Sequence, residues 1–598
     1  MGAKLCCFGD NENNAKDLIA ECSNVCFKFY DKIAKENFNM TDCRNFRDVF
    51  LKLKVVKMYG KELVEVSRKV NSFNPRGVRD IHSKKALKYY KRVGGLFALS
   101  DDYFSQVLAN ISVLRELSNF KNIEPYGTEE SSRPREAITL AFYPDLERII
   151  RASTDNEEIK FYWITWRERN LLWASLGFFT IVESIKKSAT FANIPVLEYW
   201  YHSHDSEKLI HDMELVMSEI RPLYVQLHGF IRLELYKKYG AGIIDLHGPI
   251  PIHLYHQVII QAWQKDSIIE KYYKFEDLLS YEQLVTQYDA MELITIAEEF
   301  FHSLGFKPLE KDFARNRLKV HEDENIYNCQ IELYDVTPKT YMKYCKTVDF
   351  AKYLQYHHNL CRIYYAKEKA NLPMHFFNSY DLEYSVGHAV ILSVCTPKHL
   401  KTMIDENIEI SDDKLMNRLL HMSIDTLCNL HIYFVNTKVM HDLLSGNIEI
   451  CEVNKHFWDL MDIYVGVAPP IEREQNAIDF TYKFYLDLEQ NRQLKKFLGV
   501  VLGYQFYKAF YEISDRTEPL QNYDFFNNEQ IGENIREMMS LGSSMSFYDV
   551  IGVILTKNKN LSADGLMDYY APMLAWVQRR NKAEKVRAGW NSSNIKVN

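Results

Sequence analysis

The chain has few turn-breakers: only 23 Gly and 16 Pro in 598 residues. So few in so long a chain excludes a many-turned β architecture and favours long helices. No run of 18 apolar residues occurs. The longest candidate, Leu171 to Val182, is flanked by Arg167, Arg169 and Glu183. It is too short to span a bilayer and is expected to be a buried helix. The start of the chain lacks the apolar core of a secretory signal, so a cytoplasmic location is expected. A basic excess is also missing. The net charge is −7, which argues against a broad nucleic-acid surface. HExxH, a Gly-rich phosphate loop, GxSxG and CxxC are all absent. The 11 cysteines include the pair Cys22 and Cys26 at helical spacing, but no second pair completes a zinc-finger pattern. Mostly reduced thiols are expected.

What is present is ordinary globular composition, 47% hydrophobic and 26% charged, which excludes a disordered chain, a collagen and a coiled-coil rod. Helical periodicity dominates from residue 15 onward, as in Leu293-Ile296-Phe300-Leu304 and Leu566-Tyr570-Met573-Val577. No linker, repeat or charge block divides the chain. The expected organisation is a polar tail over 1–14 and one domain over 15–598. The tail starts Met-Gly-Ala-Lys-Leu-Cys-Cys. Gly2 is a candidate for myristoylation after Met removal, although Cys6 stands where Ser or Thr is usual. Cys6 and Cys7 are candidate palmitoylation sites. Together they would anchor the chain to an inner membrane leaflet, because stable attachment takes two lipid signals. The sequons at Asn39, Asn110, Asn560 and Asn591 are as many as chance supplies.

The stretch Asp349-Phe-Ala-Lys-Tyr-Leu-Gln-Tyr-His-His-Asn-Leu-Cys-Arg carries the first chemical signal. Asp349 is a plausible helix N-cap. Leu354, His358 and Arg362 then share one face at i, i+4 and i+8. A zinc-peptidase helix would place two His at i and i+4 with Glu after the first. Here those places hold His358, Arg362 and Asn359. The other His clusters, His202-x-His204 with His211 and His253-x2-His256 near His247, lack a carboxylate or cysteine complement and read as structural. The residues alone therefore supply no complete catalytic apparatus.

His357-His358 is followed by Leu372-Pro373, Val386-Gly387 and Leu392-Ser-Val-Cys-Thr-Pro-Lys-His-Leu400. This order resembles the zinc core of the angiotensin-converting enzyme family of peptidyl-dipeptidases, whose pattern is HHEMGH, then LP, then HEAIGD leading into LSVSTPKHL. Trp163-x2-Trp166-Arg167, Pro144-Asp145-Leu146, Arg221 through His228, Gly248 through Leu254, Ala297 through Gly305 and Gly589-Trp590 agree as well. The likeness spans about residues 20 to 590. It implies an all-α, two-lobed ellipsoid with a deep central channel, one zinc ion, and removal of C-terminal dipeptides.

Residue by residue, the implied chemistry is missing. The first zinc-ligand position keeps His358. The general base is Asn359, the second ligand Arg362, the third ligand Tyr384, and the following second-shell aspartate His388. Gln330 stands at a substrate-contacting histidine. Lys495 stands at the anion-site arginine and Lys496 at the catalytic tyrosine. Leu486 stands at the transition-state histidine and Phe484 at the lysine that grips the substrate carboxylate. Of the family's three disulfides only Cys329 and Cys345 remain as a pair. A catalytic zinc needs three protein ligands and an open position, and a permanently protonated arginine is no ligand. The expectation is a chain without zinc and without peptidase activity, a binding or scaffold protein for an unnamed protein or peptide. The alternative is a metallopeptidase with a rebuilt metal site, towards which Glu383, one position from the third-ligand site, points. A guanidinium on the former ligand face needs a partner. Glu383 is the first candidate, with backbone carbonyls or the Tyr384 hydroxyl supplying the rest.

Overall fold

The structure is a computed structural model. It describes residues 2–592 apart from 40–45, 117–120, 128–138, 202–203, 205, 263–266, 269–275, 322–328, 330, 378–379, 404–414, 476, 480–490 and 515–517. As the scarcity of Gly and Pro predicts, it is all-α, and strand is confined to short pieces with no closed sheet. The elements that matter for the site are α1 (Gly2–Asn39), α2 (Phe46–Ser72), α3 (Ile81–Arg92), α4 (Asn156–Ala192), α5 (Ser206–Tyr239), α6 (Ile252–Ile260), α7 (Ala290–Ser303), α8 (Phe350–Glu368), α9 (Leu382–Val394), α10 (Leu415–Ser445), α11 (Val453–Leu460), α12 (Arg492–Ile513) and α13 (Ala571–Ala583). Two residues, β1 (Ile250–Pro251), pair in parallel with β5 (Val467–Ala468). A three-stranded patch joins β2 (Leu318–Val320), β4 (Tyr341–Tyr344) and β3 (Glu332–Tyr334), with β4 in the centre.

One large cluster of buried side chains runs through α4 to α13, and a smaller one lies under α1, α2 and α3. Cys22 and Cys26 belong to the smaller cluster, where burial raises both thiol pKa values, Cys22 to about 11. They are core residues.

Residues 2–14 are the first turns of α1. The side chains of Gly2, Cys6 and Cys7 lie outside those described. The apolar stretch of α4 is only half core: Ala174, Phe178, Ile181 and Val182 are buried, while Leu172 (72% exposed), Trp173, Leu176 and Phe179 face solvent. The helix period, not the run of apolar letters, decides which residues go inside. Cys329 and Cys345, the pair that the family likeness retains, are joined as a disulfide; Cys22, Cys26, Cys361, Cys395, Cys428 and Cys451 are free. Among the described residues no helix is long and apolar enough to cross a membrane.

Candidate functional site

The site is built where α8, α9 and α12 meet. Asp349 caps α8 as the sequence predicts, accepting a 2.6 Å hydrogen bond from the Lys352 N–H. The helix then presents His357, His358, Asn359 and Arg362. Asp381, in the left-handed conformation at φ 58°, starts α9, which carries Glu383, Tyr384, Gly387 and His388. Close approach between these helices depends on glycine. A Cβ on Gly387 would lie 2.6 Å from the His358 ring, and one on Gly503 of α12 would lie 2.7 Å from His388. Side chains there would push the helices apart.

His357 and His358, adjacent in sequence, do different work. His357 is fully buried and donates Nδ1–H to the Tyr353 carbonyl at 2.9 Å. Burial drives its pKa down to about 3. It is a neutral core residue. His358 points into the site, its ring 5.4 Å from that of Tyr384. Burial, with Arg362 and His388 nearby, lowers its pKa to about 3 as well. His388 lies one turn along α9, its ring 5.4 Å from Tyr504, and burial holds it near 4. Asn359 is buried.

Arg362 is not paired with Glu383. Its Nε and Nη2 donate to the two carboxylate oxygens of Asp335 at 2.9 and 3.0 Å, a bidentate fork. Its guanidinium also lies 4.9 Å from the centre of the Tyr384 ring, so the ring face rather than the hydroxyl meets it. Burial opposes the charge, but Asp335, Tyr384 and Glu383 outweigh it and hold the group firmly protonated. Asp335 wins because it follows β3 and reaches the site from outside the helix pair. Glu383 is turned into the core: its Oε2 is buried without a hydrogen-bond partner among the described residues, and its backbone carbonyl accepts from the Cys361 thiol at 3.8 Å. Burial raises the Tyr384 phenol pKa, against the pull of Arg362.

Lys495 reaches Asp381 at 2.9 Å. Lys369, buried, lies 4.5 Å from the Phe377 ring; desolvation lowers its pKa against the nearby charges of Glu383, Asp335 and Asp381. Lys496 faces the Tyr433 ring at 5.3 Å. The site thus carries three cations (Arg362, Lys369 and Lys495) and three carboxylates (Asp335, Asp381 and Glu383). Of these carboxylates only Glu383 was marked in the sequence. Asp335 and Asp381 carry no motif, and the only available hint was the need of Arg362 for an anion. Gln330, Phe484 and Leu486 lie outside the described residues. Among the described residues no group of three or more His, Cys, Asp or Glu is placed to hold a metal ion. At the positions that the family likeness assigns to the zinc ligands stand His358, Arg362 and Tyr384, of which only His358 is a conventional zinc donor.

Beside the site, Ser393 donates to Asp524 at 2.6 Å, and His399 meets the same carboxylate at 3.2 Å. The fold agrees with direct comparison. The family model described as "Angiotensin-converting enzyme" matches residues 9–590. An angiotensin-converting enzyme of Haematobia irritans exigua is 26% identical over 535 residues, 87% of this chain and 86% of that protein. The enzyme of Rattus norvegicus is 27% identical over 75% of this chain, which spans 35% of the rat protein. "Angiotensin-converting enzyme-like protein Ace3" of Mus musculus is 25% identical over 76% of this chain and 63% of its own length. With the helices and a match over nearly its whole length in hand, the chain is a member of the angiotensin-converting enzyme family.

Proposed function

We propose that this chain is a non-catalytic member of its family, one that binds no zinc at the family site and acts by binding a protein or peptide through its channel or surface. The observation that carries this reading is the Arg362–Asp335 fork beneath Tyr384. A divalent cation placed there would face a guanidinium whose charge is already satisfied. Asn359 offers no group to take a proton from water. Metal activation of water and the donors that stabilise the transition state each supply several kcal/mol, and the matching positions described here hold Lys495 and Lys496 instead. Dialysed protein should contain far less than one zinc per chain and release no dipeptide from a blocked tripeptide with zinc added. Stoichiometric zinc, or zinc-dependent release, would overturn the proposal in favour of a rebuilt metal site.

For location, we propose membrane attachment through acylation of Gly2, Cys6 and Cys7, with the body on the cytoplasmic side. Intact-mass measurement of native protein decides this, and an unmodified Gly2 in wholly soluble protein would end it. The Cys329–Cys345 bond sets a second condition, since cytoplasmic thiols are normally held reduced. Alkylation of native protein before and after reduction reads its state directly.

A further inference from the structure

The solvent-facing apolar residues of α4 form one stripe. Leu172, Trp173, Leu176 and Phe179 are 72%, 43%, 38% and 38% exposed. With about 100° between successive residues, positions 169, 172, 173, 176, 179 and 183 share one side of the helix. Arg169 and Glu183, both exposed, close the two ends of the stripe. The flank beside it is already covered by helix Asp101–Glu116. There Asn110 donates to Thr180 Oγ1 at 2.7 Å, and the Lys187 ammonium lies 3.6 Å from the centre of the Tyr103 ring. Other exposed large apolar side chains among the described residues, such as Met58, Ile81, Leu215 and Met545, stand singly along the chain. Single ones need no explanation, whereas a contiguous group on successive turns marks an interaction surface.

The charges at its ends select the partner. Arg169 forms no ion pair among the described residues, and Glu183 meets Lys186 at 3.8 Å, the far edge of ion-pair range. Both head groups are therefore available. They also stand symmetrically. Arg169 and Glu183 lie seven positions either side of Leu176, and Trp173 and Phe179 lie three positions either side. A two-fold axis through Leu176, across α4, lays the stripe on an antiparallel copy of itself. Leu176 then meets Leu176 of the second copy, Trp173 meets Phe179, and each Arg169 faces a Glu183. A parallel pairing would set like charge on like charge and is disfavoured. An anionic membrane is a poorer occupant, because Glu168 and Glu183 border the stripe and its headgroups would repel them.

We propose that this stripe is the contact surface of a reversible homodimer, a second copy of the chain packing antiparallel across Leu176. A contact in which each residue pair recurs by symmetry closes at two chains. Four apolar side chains per copy make a small patch beside the roughly 800 Å² per partner of a standard interface. A dissociation constant on the order of 10 µM follows. The inference is independent of the reading of the zinc position and of acylation.

Sedimentation velocity of the full chain, made without acyl groups, tests it over about 1 to 200 µM. The boundary should move from monomer to dimer across that range. Leu176→Glu should weaken association by about tenfold or more, since it sets two carboxylates against each other on the axis. Arg169→Glu and Glu183→Arg should each weaken it by about fivefold or more, because each now faces like charge. An equimolar mixture of those two variants should recover the wild-type affinity, because every contact in the mixed dimer again joins opposite charges. A chain that stays monomeric at the top of the range overturns the proposal. If that monomer binds neutral phosphatidylcholine vesicles, the stripe is a lipid face instead. Undiminished dimerisation of the single variants, or failure of the mixture to associate, overturns the proposal as well.

Discussion

The two ends of α9 hold cations in opposite ways. At its C-terminal end Arg418 donates to the carbonyls of Cys395 and Gln521 at 3.2 and 2.6 Å and to Asn522 Oδ1 at 3.0 Å. No carboxylate takes part in these bonds. At the N-terminal end Arg362 and Lys495 are each met by a carboxylate, Asp335 and Asp381. The helix dipole accounts for the difference. The C-terminal end of a helix carries partial negative charge and favours a cation, whereas the N-terminal end carries partial positive charge and opposes one. Cations at the N-terminal end therefore need full negative partners. The LSVCTPKHL end uses its cation to tie α9, α10 and the 521–524 loop together. The N-terminal end uses its charges to cancel one another.

The largest change to this comparison should come from acid. Five fully buried imidazoles, those of His228, His253, His357, His421 and His431, are held neutral by burial at pKa values of about 3 or 4. A folded pKa below the unfolded one means that the unfolded chain binds more protons between the two values. Stability is then complete above about pH 6.5 and falls as pH drops towards 3. Each such group loses on the order of 2 kcal/mol between pH 6.5 and 5. Unfolding midpoints in denaturant should fall steeply over that range, and a flat profile would show that these rings find proton-accepting partners in the fold.

Next in size is Arg418→Ala. Hydrogen bonds to a charged donor contribute about 1.5–3 kcal/mol each, and this side chain makes three in the core. A loss of at least about 4.5 kcal/mol is expected in denaturant titration. A loss below about 1 kcal/mol would mean that the carbonyls are readily rehydrated and that the C-terminal end of α9 is not tied by this residue.

How much of this could be read from sequence divides along the same helix. The all-α fold, the N-cap at Asp349, and the meeting of His358, Arg362 and Tyr384 follow from helical spacing and from the likeness of ordered motifs. Those are local or repeated signals. Asp335 was not legible, because its pairing with Arg362 joins residues 27 apart across a strand and a helix. Periodicity says that a charge is buried but not which loop folds over it. Glu383 was the wrong choice for a geometric reason: it is adjacent to Tyr384, so on a helix it points about 100° away and goes into the core. The half-exposed face of α4 was missed because a continuous apolar run hides its period.

Asp335→Ala should cost about 3 kcal/mol, because it leaves the Arg362 guanidinium in a mostly buried place without its anion. Adding Arg362→Met should recover most of that loss, since removing both members of a buried pair is often neutral. The double variant tests the α9 comparison directly. Recovery assigns the N-terminal charges to mutual cancellation. Failure to recover would mean that Arg362 has a structural tie of its own, as Arg418 does.

The smallest effect is expected at Lys495. Its pair with Asp381 is 2.9 Å long, but the two side chains keep 28% and 26% of their surface exposed. Ion pairs with that much solvent contribute about 0–1 kcal/mol. Burial works against the Lys495 charge, and Asp381 holds its pKa above the usual value nonetheless. Lys495→Met keeps the length of the stem and removes only the charge, so Asp381 must then rely on solvent. The predicted loss is about 0.5 kcal/mol, and it should shrink further in 1 M salt, where screening acts within about 3 Å. Asp335→Ala, by contrast, should be nearly insensitive to salt, because its pair is less exposed. Equal salt dependence for the two variants would erase the distinction between a wet and a dry pair at the same end of α9, and would place Arg362 in solvent rather than in the packed site.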